Sequence, residues 1–570
     1  MNLRIDGIIL WLLLPLSLAS AADGVSPGRF IVDPPTLENL GFRWYIEGDD
    51  NRNASVAVSY RRPGERDWKQ ALPMLRVHHE VVNQDYGPYR TGNLFAGSVL
   101  FLQPGVKYEV RFVMEDPDGG AATPKTVTAT TRAEPALRAG RRQVRVRPPF
   151  ENLRKALDAA KPGDTLVLES GVYSTSDTVV LDKPDIALLG ASEGAVIEGP
   201  GYDVDLFDIR HTDNLWFENL TLRRARMAIQ GGAKGGPGAS GLVVRRCRIE
   251  DVIYGINNTS ENSTGWYIAD NVLTGTNPTW YPRPDKTYME PSHTGVNVYG
   301  RGHVVCYNRI SRFSDAVAIA NFGVPLEDVE KHPVAIDFYH NDLSFAQDDT
   351  LETDYGAHNV RVYRNRCYNA HTGLSVQPLY GGPVYLIRNE LYGITALAFK
   401  LHNYCAGILA YHNTSATART GFQSFNRWQN GHFRNNLILG GSGGYAMDTG
   451  TITPYSTLDY NGYRRGAPET FIRWYDGRER RTYASLGDFT AATGHERHGM
   501  LIDYDIFVNA SPPAPGKTVD PAAYDLRLKP EAAAIDAGTR LANINDDFTG
   551  RAPDLGCYER GQAQPHYGPR

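Results

Sequence analysis

Cysteine is scarce: Cys247, Cys306, Cys367, Cys405 and Cys557 are the five in a chain of 570 residues. Their number is odd and none has CxxC or metal-ligand spacing, so a disulfide scaffold and a zinc site are both excluded. They read as small buried apolar residues. An excess of charge is also lacking, with 59 Lys and Arg against 64 Asp and Glu and a formal net charge of -5. That balance removes any electrostatic reason for a nucleic acid or an anionic membrane as partner. Beyond the first residues no run is apolar enough to span a bilayer. Gly and Pro, 57 and 35, are too dispersed for collagen or a disordered chain but suit a turn-rich β protein. The length exceeds one compact core.

What is present begins with Arg4, an apolar run from Ile8 to Leu18, and Ala19-Ser20-Ala21, the layout of a secretory signal peptide over 1–21. The expectation is a secreted or periplasmic protein. From Arg29 to Arg132 short strands alternate with turns, and in Lys107–Met114 the residues Tyr108, Val110 and Phe112 alternate with Lys107, Glu109 and Arg111. The unit reads as a β-sandwich over 29–132. Its Leu102-x-Pro104-Gly105-x-x-Tyr108-x-Val110 resembles the corner of fibronectin type III domains. No reactive side chains gather there, which suggests a spacer or packing module. An Arg- and Pro-rich stretch, 133–150, reads as a linker.

An amphipathic helix at Leu153–Ala160 leads into a strand through Pro162-Gly163-Asp164, and this pair resembles the capped entry of right-handed parallel β-helices. The repeat supports that fold. A strand ending in an Asn-centred turn recurs at Asn219, Cys247, Asn271, Asn308, Asn341, Asn365, Asn389, Asn413 and Asn435. The intervals are 28, 24, 37, 33, 24, 24, 24 and 22 residues. A period of 24 suits one coil of three short strands and is too short for a propeller blade. The fold class is therefore all-β, a right-handed parallel β-helix over 151–560 preceded by a small β-sandwich. His412 and Arg388 each directly precede a ladder Asn and read as turn or exterior residues.

The two long intervals hold insertions. The first carries Trp280, Tyr281 and Arg283, an aromatic and basic loop suited to a saccharide chain bearing acidic groups, or to a purely structural role. Asp315 and Asp348 each lie 7 residues after a ladder Asn, with Asp349, Glu352 and Asp354 close behind. Gln377 is placed one coil on and Lys400 a further coil, followed by His402. Like charges in neighbouring columns repel unless a cation or a reaction uses them. Oxygen ligands from several strands suit Ca2+, and with a Lys nearby they suit proton abstraction beside a uronate carboxylate. The same carboxylates, spaced for a water molecule, would suit inverting glycoside hydrolysis.

Asp348-Asp-Thr-Leu-Glu352, Ala398-Phe-Lys400-Leu and Arg419-Thr-Gly-Phe-Gln-Ser-Phe-Asn426 resemble motifs of family-nine polysaccharide lyases. The resemblance implies that Asp315, Asp348, Asp349 and Glu352 bind Ca2+ and that Lys400 is the base. His402 and Asp354 stand by as further acid/base groups, and Gln377 as a substrate contact. A weaker similarity runs to polygalacturonase-type hydrolases. The expected function is Ca2+-assisted elimination on an acidic, uronate-containing polysaccharide by a monomer. An inverting hydrolase, a non-catalytic glycan-binding solenoid and an epimerase are the alternatives.

Overall fold

The computed structural model describes residues 23–84, 87–120, 124–191, 194–278, 291–321, 328–424, 427–466 and 471–570. The leader-like segment 1–21 and the loop residues Trp280, Tyr281 and Arg283 lie outside the described residues.

Alternating apolar positions build the N-terminal sandwich. In Lys107–Glu115 the side chains of Tyr108, Val110, Phe112 and Met114 are buried, while Lys107 and Glu115 are exposed. This strand belongs to one four-stranded antiparallel sheet, and Leu40–Glu47 belongs to another. Phe42, Trp44, Val56 and Phe112 share the core between them. At the corner, the Gln103 N–H donates to the Tyr108 hydroxyl at 3.0 Å.

The solenoid starts earlier than its composition suggests, because Gln143–Val146 is already the first strand of a thirteen-stranded sheet. Five arginines in 138–147 hide this strand, yet Val144 pairs Leu166 and Val146 pairs Leu168 in parallel register. The helix Phe150–Ala159 then covers the open end, burying Phe150 and Leu153 against the solenoid core. About thirteen coils of roughly 24 residues follow, forming the thirteen-stranded sheet and an eighteen-stranded one, both built of parallel pairs among the described residues. All five cysteines are buried and free.

The asparagine ladder is real, with a shift at each end: Asn219 takes the left-handed position at φ 58° and leaves the ladder position of its coil to Leu220. From Asn271 through Asn308, Asn341, Asn365, Asn389 and Asn413, each side-chain amide donates to the next Asn Oδ1 at 2.9–3.1 Å. Each of these oxygens also accepts the backbone N–H of the preceding Asn. The amides are thus satisfied inside the turn, where an unpaired one would cost about 1–3 kcal/mol. The ladder continues to Asn436 and Asn461, not Asn435. Asn435 instead takes the left-handed turn position one residue earlier, at φ 59°.

That left-handed position forms a column of its own. Tyr307, His340, Arg364, Arg388, His412 and Asn435 occupy it coil after coil, all with φ between 52° and 59°. Arg388 and His412 are therefore turn residues, as expected, but they are not exterior ones, being 6% and 0% exposed. The C-terminal segment covers them. It accepts a hydrogen bond from Arg388 at Cys557 O, packs Asn545 on His412 Nε2, and accepts from His340 Nδ1 at His566 O. Arg570 then pairs with Asp270 at 2.7 Å.

On the other side the sandwich docks against the thirteen-stranded sheet. Arg361 pairs with Asp337 at 2.7 Å with both side chains fully buried, and Arg361 Nε donates to Ser98 Oγ at 3.0 Å. Asn39 also donates to Asp337 at 2.7 Å. The sandwich hairpin Val81–Val82 with Tyr89–Arg90 reaches further, and the Asn83 N–H donates to Asn403 O at 2.7 Å.

Candidate active site

Strand alternation sets the site. Val317, Leu351, Leu374 and Phe399 stack inward on consecutive coils and are fully buried in the core. The next residue of each strand therefore points outward, giving the column Ala318, Glu352, Ser375, Lys400. Counting from the inward residues brings Ser375 between Glu352 and Lys400, a position that counting from the ladder assigns to Gln377. Gln377 instead follows Val376, which pairs Leu401, and so stands level with His402.

Acidic groups converge on this column. Asp315, Asp349 and Glu352 each offer a carboxylate oxygen, and the three oxygens lie within 4.8 Å of one another. All three are buried. The Lys400 ammonium reaches Asp349 Oδ2 at 2.7 Å and Asp348 Oδ1 at 3.6 Å. Asp348 is the partly exposed member and stands outside the converging trio. Asp354 is held by Ser375 Oγ at 2.9 Å and by the Gln377 N–H at 2.8 Å. The Gln377 Oε1 is buried and meets no donor among the described residues.

One ammonium thus faces five carboxylates, and their proton affinities respond. Burial, then Asp348 and Asp349, hold the Asp315 carboxyl well above its usual range. Burial and then Asp315, Asp354 and Asp349 do the same to Glu352. Asp348 is pushed up to about 6 by burial and Asp349. Asp354 rises to about 8 through burial, against the opposing pull of Lys400. Burial disfavours the charge on Lys400, but Asp349, Asp348, Glu352 and Asp354 override it and hold the ammonium on more tightly than usual. His402, lowered to about 4 by burial and then by Lys400, is neutral at pH 7. His371 is likewise lowered by burial.

A divalent cation fits the trio. Asp349 Oδ1 is buried and accepts no hydrogen bond, and the donor set is all carboxylate oxygen, the hard ligand type that Ca2+ takes.

His293, from the first insertion, and Tyr254, which no sequence motif marks, also border the site. His293 stacks on Tyr254 at 5.1 Å and donates to or accepts from Thr294 Oγ1 at 2.8 Å, and Thr294 pairs with Asp315 across the sheet. Ser375 was missed because its strand is continuous from Arg366 to Val376 with an irregularity between Ala370 and Thr372 that slips the count. The inward Leu374 and Phe399 were the available signal.

Without a cation, the raised groups make stability depend on alkali. Asp354 binds its proton more tightly folded than unfolded, so its contribution is fully present below pH 3.8 and is lost as pH rises through about 8. Between pH 6 and 8.5, roughly 2 kcal/mol is lost from this group alone. In chelator the melting temperature is therefore expected to fall by several degrees across that window. A flat profile in chelator would rule out the proton-sharing cluster.

No family model and no curated protein matches the chain. Several solved structures are similar to it, among them two alginate lyases. One is an alginate lyase from Paenibacillus sp. str. FPU-7, 14% identical over 51% of this chain and 98% of that chain, with a TM-score of 0.28. The other is the PL6 family alginate lyase AlyGC, 14% identical over 74% of this chain and 60% of that chain, with a TM-score of 0.34. These are likenesses of fold. No helix among the described residues is long and apolar enough to cross a membrane.

Proposed function

We propose that the protein is a polysaccharide lyase acting on uronate-containing chains. The observation that carries this reading is the Lys400 ammonium at 2.7 Å from Asp349, beside three carboxylate oxygens within 4.8 Å of one another. Inverting hydrolysis needs carboxyl groups about 6.5–9.5 Å apart with water between them. The trio is closer than that and suits a shared cation better.

In the elimination, a base removes the proton on the carbon bearing the uronate carboxylate, the bond from the neighbouring carbon to the glycosidic oxygen breaks, and a double bond forms between the two carbons. The departing oxygen takes up a proton. Asp315, Asp349 and Glu352 would hold the Ca2+, with Asp348 at the rim. Ca2+ bound there supplies positive charge that offsets the carboxylates and draws electron density from the substrate carboxylate. With the carboxylates neutralised by Ca2+, the hold of Asp349 and Asp348 on the Lys400 ammonium would weaken, and Lys400, once it has given up its proton in alkaline solution, is the group assigned to take the substrate's. Asp354, protonated up to about pH 8, is a donor for the departing oxygen. Gln377 Oε1, lacking a donor, is available to a sugar hydroxyl. Neutral His402 is the second candidate base.

The loop residues Trp280, Tyr281 and Arg283 are assigned to the saccharide by their composition. The Tyr108 corner supports reading the N-terminal unit as a fibronectin type III-like module. With its leader-like start, the protein would work as a secreted or periplasmic monomer. The test is a screen of acidic polysaccharides, including polygalacturonate and alginate, that records ultraviolet absorbance of an unsaturated product together with new reducing ends. Elimination raises both signals; reducing ends alone would replace the lyase with a hydrolase.

A further inference from the structure

The left-handed turn column carries a second charged constellation, of opposite sign and at the other end of the strands that bear the carboxylates. Arg364 and Arg388 occupy it on neighbouring coils, about 4.8 Å apart along the axis. Stacked like charges repel unless an anion lies against them. Among the described residues no carboxylate comes within ion-pair distance of either. Arg364 lies over the Phe101 ring at 4.8 Å. Arg388 Nη1 reaches only Cys557 O, at 3.5 Å, and its buried Nη2 meets no acceptor.

Between this column and the C-terminal segment opens a cavity of about 620 Å3, lined among others by His340, Arg364, Arg388, Arg527, Glu559 and Arg560. The one carboxylate in that set, Glu559, is held by the N–H groups of Thr549 and Asp554 at 3.1 Å each and acts on Arg388 without reaching ion-pair distance. Arg527 is neutralised by Asp525. Arg364, Arg388 and Arg560 remain without an ion-pair contact among the described residues, around a volume that accommodates a small ligand, with Asp547 and Glu559 as the carboxylates acting on Arg388. Burial, followed by Arg364, makes the Arg388 charge harder to sustain than usual, which is the condition an anion relieves.

We propose that this pocket binds an oxyanion-bearing ligand of sugar size, its carboxylate or phosphate gripped by the forked donors of Arg364 and Arg560 with Arg388 behind them. Guanidinium pairs recognise such planar or tetrahedral oxyanions through two parallel hydrogen bonds. The site is separate from the carboxylate groove and does not depend on the reaction assigned there.

The test follows the melting temperature at constant ionic strength with glucuronate, inorganic phosphate and uncharged glucose. A saturable rise is expected with glucuronate or phosphate and none with glucose. Affinity should fall at least about tenfold in Arg364→Gln and in Arg560→Gln, and stay unchanged in Lys400→Ala. Tighter glucuronate assigns the pocket to a saccharide acid; tighter phosphate assigns it to a free oxyanion. Arg560 is exposed and Arg364 half-buried, so neither substitution opens the core. The absence of any saturable shift, or wild-type affinity in both variants, overturns the proposal.

Discussion

Lys400→Ala is expected to lower turnover by roughly a hundred- to ten-thousand-fold on the polysaccharide that the screen identifies. The side chain is the single cation among five carboxylates and points outward from the coil, so the loss is chemical and not a collapse of the core. Lys400→Arg should fail nearly as badly, because guanidinium does not release its proton at usable pH. Removing the ammonium also leaves Asp349 without its 2.7 Å partner, so Lys400→Ala should melt lower than the parent. Added Ca2+ should recover that stability while leaving turnover lost. If Ca2+ restored both, Lys400 would be a structural counter-charge and His402 would take over the base. Near-normal turnover in either variant would remove Lys400 from the reaction altogether.

The second large effect concerns the cation. Excess chelator is expected to abolish turnover, and Ca2+ to restore it, because uncompensated carboxylates at this spacing repel both one another and an anionic substrate. Glu352→Gln should weaken the Ca2+ response in melting temperature as well as in rate, since it removes one charge from the trio without changing its shape. Ca2+ binding should also lessen the alkaline loss of stability, because a bound cation keeps Asp315 and Glu352 ionised in the folded state, while Asp354, outside the trio, keeps its own share of that loss. Full activity in chelator would return the carboxylates to metal-free hydrolysis.

The coil was legible because one residue type performs one task at a fixed interval. Asn341, Asn365, Asn389 and Asn413 each meet the same four hydrogen-bonding demands, and no other side chain of that size meets them all. The slip at Asn435 arose where two asparagines adjoin and both suit a turn, one through its amide and the other through its tolerance of positive φ. The acidic cluster was legible for a related reason: the stacking of strands brings Asp315, Asp349, Glu352 and Lys400 together from three coils. Ser375 was not, since a local irregularity moves the register without a mark in composition. The arginine pocket was hidden more deeply. Its floor and its cover are separated by about 170 residues, as Arg388 and Cys557 are, and no local pattern connects them.

A solenoid whose coils touch only their neighbours behaves as a chain of weakly linked units, and unzipping can begin at either end and travel inward. The C-terminal segment changes that topology. By touching Asn435, His412, Arg388, His340 and Asp270 in turn, it ties residues up to 300 positions apart, while the sandwich ties Asn39 and Asp33 to Asp337 and Asn359 across comparable distances. The middle coils are thereby gripped from two sides, and these are the coils that carry the carboxylates and Lys400. Fraying at the ends has to stop where the straps begin. The column that carries Lys400 thus sits where hydrogen bonds join residues some 300 positions apart, so its opening is coupled to release of both straps.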